Sequence, residues 1–184
     1  MRVISGKYRG RKLKGPGATG IRPTSDRLKE TLFDILGPSV EGRAWLDVFG
    51  GTGSVGIEAL SRGACQVVFI ENTEAAHRLI QRNLEICGVK SGYQLIRQEV
   101  FAALRALARR QFQADIIFFD PPYDWKPYGD LLDIAFKKGL ASPSCIVVVE
   151  HHRKAYLPES GNGYFRFRIV RQGDHCLSFY KAVK

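Results

Sequence analysis

Residues 44–56 read AWLDVFGGTGSVG, a short apolar run followed at once by a glycine-rich loop. Gly51, Gly53 and Gly56 have the spacing G-x-G-x-x-G, and Glu71 lies 20 residues after Gly51. Glycines let the backbone approach a ligand closely, and an acid at the end of the next strand can accept hydrogen bonds from ribose hydroxyls. The stretch predicts a strand, a binding loop and a helix, without choosing between a dinucleotide and another ribose-bearing cofactor.

Apolar runs and helix-like segments alternate from this stretch onward, which predicts a parallel sheet with right-handed crossovers. The predicted strands are Ala44–Phe49, Gln66–Ile70, Tyr93–Arg97, Ala114–Phe119 and Ser144–Val149. Two further strands are predicted to form a hairpin with no helix between them, Tyr164–Val170 and His175–Val183. The fold prediction is therefore α/β, Rossmann-like, with a mainly parallel seven-stranded sheet and an antiparallel last strand, the arrangement of adenosylmethionine-dependent methyltransferases.

Two further features favour adenosylmethionine over a dinucleotide. Asp47 precedes the loop, where a carboxylate can hold a cationic ammonium but would repel a pyrophosphate. The tetrad Asp120-Pro121-Pro122-Tyr123 follows a buried strand, and hydride transfer has no need of it. The candidate cofactor-binding residues are Asp47, Gly50, Gly51, Thr52, Gly53, Glu71, Asn72, Glu99 and Val100.

Two of these residues, Asn72 and Glu99, have more than one interpretation. Asn72 either contacts the ligand or caps the helix expected from Thr73. Glu99 either accepts a hydrogen bond from the adenine amine or complements the dipole of the next helix. Val100 would supply apolar contact to the adenine ring.

The tetrad has the composition that alkylation of a nucleobase amine requires. Such an amine is a poor nucleophile, so its site needs hydrogen-bond acceptors and a flat stacking surface. The Asp120 carboxylate and the Pro121 carbonyl would accept from the amine, and Pro122 would fix the turn. Tyr123 would stack on the base. The alternative is a proline-rich loop with Tyr123 packed on the core.

Basic charge is concentrated near the amino terminus. The net charge is +10, and residues 1–27 contribute +7 of it, with Asp26 as their only acid. Basic residues interleaved with glycine and tyrosine suit phosphate contact, although a solvated surface segment is the plainer alternative. The candidate RNA-binding residues are Arg2, Lys7, Tyr8, Arg9, Arg11, Lys12, Arg22, Thr24 and Arg27.

The remaining composition indicates a cytoplasmic protein without metal or membrane association. Apolar runs are too short to span a bilayer, and the first residues lack a signal-peptide core. The four cysteines have no ligand spacing, and His151-His152 is expected to be a surface turn. We expect a basic extension over residues 1–23, with a small β-hairpin, and a methyltransferase domain over residues 24–184.

Over nearly its whole length, the chain resembles the RsmD family of small-subunit ribosomal RNA guanine methyltransferases. The matching segments are Arg2-Val3-Ile4, Tyr8–Arg11, Arg22-Pro23-Thr24, Asp26-Arg27, Glu30–Phe33, Asp47–Gly56, Glu58–Gly63 and Asp120–Tyr123. Two positions depart from the family pattern: Gly50 stands where alanine is commoner, and Glu99 where aspartate is common.

The resemblance implies transfer of a methyl group from adenosylmethionine to the 2-amino group of guanine 966 in 16S rRNA, on an assembled or partly assembled small subunit. A monomer is expected. Spacing alone leaves two alternatives open: an adenine amine methyltransferase acting on DNA or RNA, and a noncatalytic RNA-binding module on the same kind of sheet.

Overall fold

A computed structural model describes residues 1–15, 17 and 25–183. Contacts divide the chain into two compact units, Met1–Glu99 and Val100–Lys184. The boundary expected between residues 23 and 24 lies outside the described residues, so the division into extension and catalytic domain stays a prediction. Within the described part of the chain, no helix is long and apolar enough to cross a membrane.

The described residues of the first unit form a three-stranded parallel sheet with three α-helices and a short 3-10 helix at Gly37–Val40. Its strands have the order β3-β2-β1. Both neighbouring pairs are parallel, with Val48 opposite Ile70 where β1 and β2 end. The elements are α1 (Asp26–Leu36), β1 (Ala44–Val48), α2 (Ser54–Ser61), β2 (Gln66–Glu71), α3 (Glu74–Cys87) and β3 (Tyr93–Arg97).

The second unit is a mixed sheet with two helices. Its strands have the order β4-β5-β8-β7-β6. The pair β4 and β5 is parallel, whereas β8 is antiparallel to both β5 and β7. The elements are α4 (Val100–Arg109), β4 (Ala114–Phe119), α5 (Tyr128–Lys137), β5 (Ala141–His152), β6 (Ser160–Gly161), β7 (Tyr164–Gln172) and β8 (His175–Ala182).

The predicted fold class is confirmed, including the antiparallel last strand, but the described residues form eight strands where seven were expected. The additional strand is β6, whose two residues pair with the start of β7. Strand β5 is also longer than predicted and includes Glu150, His151 and His152. The expectation of a surface turn at His151-His152 is therefore wrong, because both residues pair with β8.

Residues 1–15, here called the N-terminal arm, form the expected small hairpin around a single antiparallel bridge between Arg2 and Lys12. Val3 donates its N–H to the Arg11 carbonyl over 3.0 Å. Val3 and Leu13 are buried, so the apolar side chains of the hairpin pack inward.

A buried carboxylate fixes the arm to α2. Glu58 has no exposed surface, and its carboxylate accepts from the N–H groups of Ile4 at 2.7 Å and Ser5 at 3.0 Å. Arg62 pairs with it at 2.8 Å, and the buried Lys29 ammonium lies 3.6 Å away. Lys29 also donates to the Arg2 carbonyl over 2.7 Å. A buried charge is tolerated when it is paired and hydrogen-bonded in this way.

We predict that Glu58→Ala lowers the free energy of unfolding by about 3–5 kcal/mol, because the buried Lys29 ammonium would then have the more distant Asp26 carboxylate, at 4.0 Å, in place of Glu58. Denaturant unfolding measures the loss. Glu30→Ala is the matched control, since Glu30 is exposed on α1; its effect should stay within about 0.5 kcal/mol. Equal stabilities for the two variants would contradict the role given to Glu58.

Candidate cofactor and substrate sites

The glycine loop and Glu71 lie together in the first unit. The loop follows β1 and Glu71 ends β2, and these parallel neighbours end at the same edge of the sheet. The Gly51 N–H donates to Glu71 Oε2 over 3.0 Å. Gly51 and Gly53 have φ values of 55° and 75°, in the region that favours glycine. The predicted loop and acid are thus brought together by backbone geometry.

Several loop glycines also make room for neighbouring elements. A Cβ atom on Gly50 or Gly53 would lie 3.1 Å from the Ile80 side chain of α3. On Gly56 it would lie 2.2 Å from the Phe69 ring. Part of the glycine pattern is therefore required by the packing of α2 and α3 against the sheet.

Asp47 is buried beneath the start of α2. Its Oδ2 accepts from the Gly56 N–H over 2.9 Å, and the residue is 2% exposed. Burial raises the pKa of Asp47 to about 8, the Gly56 hydrogen bond opposes this, and the charge of Glu71 adds to it. A neutral carboxyl in the ligand-free protein is the expected state, and the contact to a cofactor ammonium stays a prediction.

Glu71 is well placed to accept hydrogen bonds. In addition to Gly51, its carboxylate accepts from the N–H groups of Asn72 at 2.9 Å and Thr73 at 3.0 Å. The Thr73 hydroxyl also donates to it, over 3.3 Å, so the carboxylate already acts as an acceptor here, and its contact to ribose hydroxyls stays a prediction. The residue that caps α3 is Thr73, whose hydroxyl accepts from the Ala76 N–H. The capping interpretation of Asn72 is therefore wrong, and its side chain is exposed.

Two other cofactor candidates lie around the start of α4. Glu99 is exposed and directly precedes the helix, whereas Val100 is its first residue and is buried. Both proposed adenine contacts stay predictions.

The tetrad follows β4 in the second unit. Asp120 is half-buried, Pro121 is buried, and the Pro122 carbonyl accepts from the Trp125 N–H over 2.9 Å. Tyr123 is 68% exposed, and its ring centroid lies 4.9 Å from that of His152. Tyr123 is thus not packed on the core, and most of its ring is available for stacking.

The environment of the tetrad keeps two nearby groups neutral. Burial, with a contribution from the Asp120 charge, raises the pKa of Tyr128 to about 12. Burial lowers the pKa of His151. The ring of His151 lies between two partners at 2.9 Å: the His152 carbonyl accepts from Nδ1, so Nε2 accepts from the Ser178 hydroxyl.

The basic residues of the arm face solvent. Tyr8 is half-buried, with the Lys7 ammonium 5.5 Å from its ring centroid. Arg22 and Thr24 lie outside the described residues. The candidates that are exposed are Arg2, Lys7, Arg9, Arg11, Lys12 and Arg27.

Sequence reasoning missed Asn83, which links the arm to the glycine loop. Asn83 is fully buried in α3, and its side-chain oxygen accepts from the Lys14 N–H over 2.8 Å. Its amide donates to the Lys14 carbonyl at 3.1 Å and to the Thr52 carbonyl at 2.9 Å. A single asparagine in a helix has no pattern that predicts this, because its partners are distant in sequence.

Comparison with known proteins confirms the class of fold. A solved structure of a hypothetical protein from Thermus thermophilus has a TM-score of 0.83 and 28% identity, covering 100% of this chain and 99% of that one. An RNA methyltransferase from Salinibacter ruber, solved with S-adenosyl-L-homocysteine, has a TM-score of 0.65 at 17% identity, covering 88% and 94%. The fold is the Rossmann-like fold of adenosylmethionine-dependent methyltransferases.

The family follows from sequence. A family model described as "Conserved hypothetical protein 95" matches residues 1–181. "Putative rRNA methyltransferase YlbH" of Bacillus subtilis is 38% identical and covers 98% of both chains. "Ribosomal RNA small subunit methyltransferase D" of Escherichia coli K12 is 34% identical, over 86% of this chain and 78% of its own. The chain belongs to this family, and the resemblance to the RsmD family is confirmed.

We predict that wild-type stability falls relative to Asp47→Asn as pH rises from about 4 to about 8. Over this range the unfolded chain releases the Asp47 proton while the folded protein keeps it, so deprotonation favours unfolding. The relative loss should be about 5 kcal/mol, at about 1.4 kcal/mol for each of about four pH units, measured by denaturant unfolding at several pH values.

Asp34→Asn is the control, because it removes an exposed carboxylate from the same unit. The free energy of unfolding of this variant should depend on pH as that of the wild type does. A constant difference between wild type and Asp47→Asn at every pH would contradict the neutral state assigned to Asp47.

Proposed function

We propose that this protein transfers a methyl group from adenosylmethionine to the 2-amino group of guanine 966 in 16S rRNA. The observation that carries the proposal is the tetrad Asp120–Tyr123 at the end of β4, with its aromatic ring exposed. Membership of the family supports the rRNA substrate, since its relatives are named as rRNA methyltransferases. We further propose that the enzyme acts as a monomer in the cytoplasm, on the small ribosomal subunit.

The glycine loop and Glu71 are proposed to hold the cofactor. Glu71 would accept from the ribose hydroxyls, and Asp47, once ionised by a nearby cation, would stabilise the ammonium. When bound, adenosylmethionine supplies an electrophilic methyl group. The S-adenosyl-L-homocysteine complex of the Salinibacter protein, which has the same fold, supports this choice.

The tetrad is proposed to hold the target base. The Asp120 carboxylate and the Pro121 carbonyl would accept hydrogen bonds from the amine. These bonds strengthen as the nitrogen gains positive charge, so they stabilise the transition state more than the bound substrate. Tyr123 would stack on the base, and holding the amine in a reactive orientation would supply much of the acceleration.

The N-terminal arm is proposed to bind the RNA backbone. Its exposed basic side chains suit phosphate contacts, and its attachment to Glu58 and Asn83 holds them in a fixed position. We retain residues 1–23 as an RNA-contact extension and residues 24–184 as the methyltransferase domain.

We predict that the wild-type protein methylates small subunits from a strain lacking this activity, and that mass spectrometry of the rRNA places the methyl group on the guanine 2-amino nitrogen. Asp120→Ala should lower kcat by about 100- to 1,000-fold, because the amine loses the charged one of its two proposed acceptors. Cofactor affinity, measured by calorimetry, should be nearly unchanged.

Asp124→Ala is the matched control, since Asp124 is exposed in the same loop; its turnover should equal that of the wild type. Free 16S rRNA and duplex DNA should be assayed in parallel. Methylation of DNA alone would establish the adenine-type alternative, and failure to bind adenosylmethionine would indicate a noncatalytic module. Near wild-type turnover in Asp120→Ala would remove its assigned role.

We predict that Arg9→Ala/Arg11→Ala weakens RNA binding and reduces the magnitude of its salt slope by about 1 to 2, because two phosphate contacts are lost. Fluorescence anisotropy with labelled rRNA at several salt concentrations measures both quantities. The control Arg105→Ala/Arg109→Ala removes two exposed arginines from α4. If both double variants change the slope equally, the arm is not a specific contact surface.

A further inference from the structure

A cleft of about 530 Å³ in the second unit has no part in the proposed methyl transfer. It is bounded by the end of β5, by residues 153–160 and by β7. Leu157 and Cys176 are buried within its lining, whereas Tyr156 and Ile169 are exposed. The cleft therefore has buried residues in its lining and an accessible rim, and its volume is within the range of ligand-binding sites.

The lining of the cleft is basic. Arg153, Arg166 and Arg171 contribute to it, against Glu159 as its only acid. Burial raises the pKa of the Cys176 thiol, and the charges of all three guanidinium groups act in the opposite direction. Three guanidinium groups therefore line one cleft and act on the same buried thiol, which favours an anionic ligand.

The arginines differ in how far they are neutralised. Arg153 pairs with Asp174 at 2.8 Å, and Arg166 pairs with Glu159 at 2.8 Å. Arg171 is exposed and forms no ion pair with a described residue. Its guanidinium offers several donors in a fork that matches a phosphate.

The rim of the cleft also offers an aromatic surface. Tyr156 is 87% exposed, the highest value among the exposed large hydrophobic side chains of the described residues. An aromatic ring in water beside a basic groove is the combination that binds single-stranded nucleic acid, with phosphates on arginine and a base on the ring.

Backbone contacts hold the cleft in shape. The Ala155 N–H donates to the His152 carbonyl over 2.9 Å. The Tyr180 hydroxyl donates to the Pro158 carbonyl over 2.9 Å. Because these hydrogen bonds already order residues 153–160, ligand binding to the cleft costs little further conformational entropy.

We propose that this cleft binds a single-stranded segment of the RNA substrate, with a phosphate at Arg171 and Arg153 and a base stacked on Tyr156. The inference rests on the proposed function for the identity of the substrate. Arg153 directly follows His152, whose ring lies 4.9 Å from that of Tyr123. Tyr123 and the cleft therefore both adjoin the end of β5, and an RNA segment that contacts both has to pass around this strand end.

The test is fluorescence anisotropy with a short, labelled oligouridylate at several salt concentrations. Arg171→Glu should weaken binding about tenfold and reduce the magnitude of the salt slope by about 1. Tyr156→Ala should weaken binding about 5- to 150-fold, whereas Tyr156→Phe keeps the ring and should bind as the wild type does. In methylation assays, Arg171→Glu and Tyr156→Ala should raise KM for rRNA and keep kcat.

Arg110→Glu is the matched control, because it makes the same charge change at an exposed position after α4. Wild-type affinity in Arg171→Glu and Tyr156→Ala, or an equal loss in Arg110→Glu, would overturn the proposed surface. A wild-type protein that methylates rRNA while these variants bind normally would leave the proposed function standing. If Arg171→Glu and Tyr156→Ala lose RNA binding but the wild type transfers no methyl group, the cleft proposal stands and the proposed function is wrong.

Discussion

The buried carboxylate of Glu58 is the interaction on which the first unit depends. It is surrounded by the Lys29 ammonium, the Arg62 guanidinium and the N–H groups of Ile4 and Ser5. Removing a charge from water is costly, so such a group is stable only when its partners are all in place. The carboxylate therefore joins α1, α2 and the N-terminal arm, and displacement of any one of them would leave buried polar groups unpaired.

The contacts of Glu58 connect the proposed RNA-binding arm to the helix that follows the proposed cofactor loop. Helix α2 begins at the glycine loop and carries Glu58, which holds the arm. Asn83 of α3 completes the connection, because its amide bonds to both Lys14 and Thr52. The arm is short and has little core of its own, and these contacts explain how it can present basic side chains in fixed positions.

Most secondary structure could be predicted because hydrophobic periodicity is local. Strand β6 could not, since two residues have no periodicity, and it forms only because β7 offers an unpaired edge. The end of β5 was missed because Glu150-His151-His152 looks polar. Partners in β8 bind several of those polar groups: Glu150 Oε1 pairs with His175 and His151 with Ser178, whereas Glu150 Oε2 has no partner among the described residues. Pairing across a sheet can thus bury residues that a linear pattern assigns to the surface.

The candidate sites differ in the same way: one can be predicted from neighbouring residues, and the other depends on residues that are distant in sequence. The tetrad could be predicted from the sequence because its acceptor, its rigid turn and its aromatic ring are consecutive residues. The basic cleft could not, because Arg153, Arg166 and Arg171 are separated along the chain by acids and apolar residues. Net charge alone placed the nucleic-acid surface in the first 27 residues. Folding brings three further guanidinium groups to the lining of one cleft, so residues 28–184, whose net charge is the +3 that remains of +10 after the +7 of residues 1–27, still form a locally basic surface.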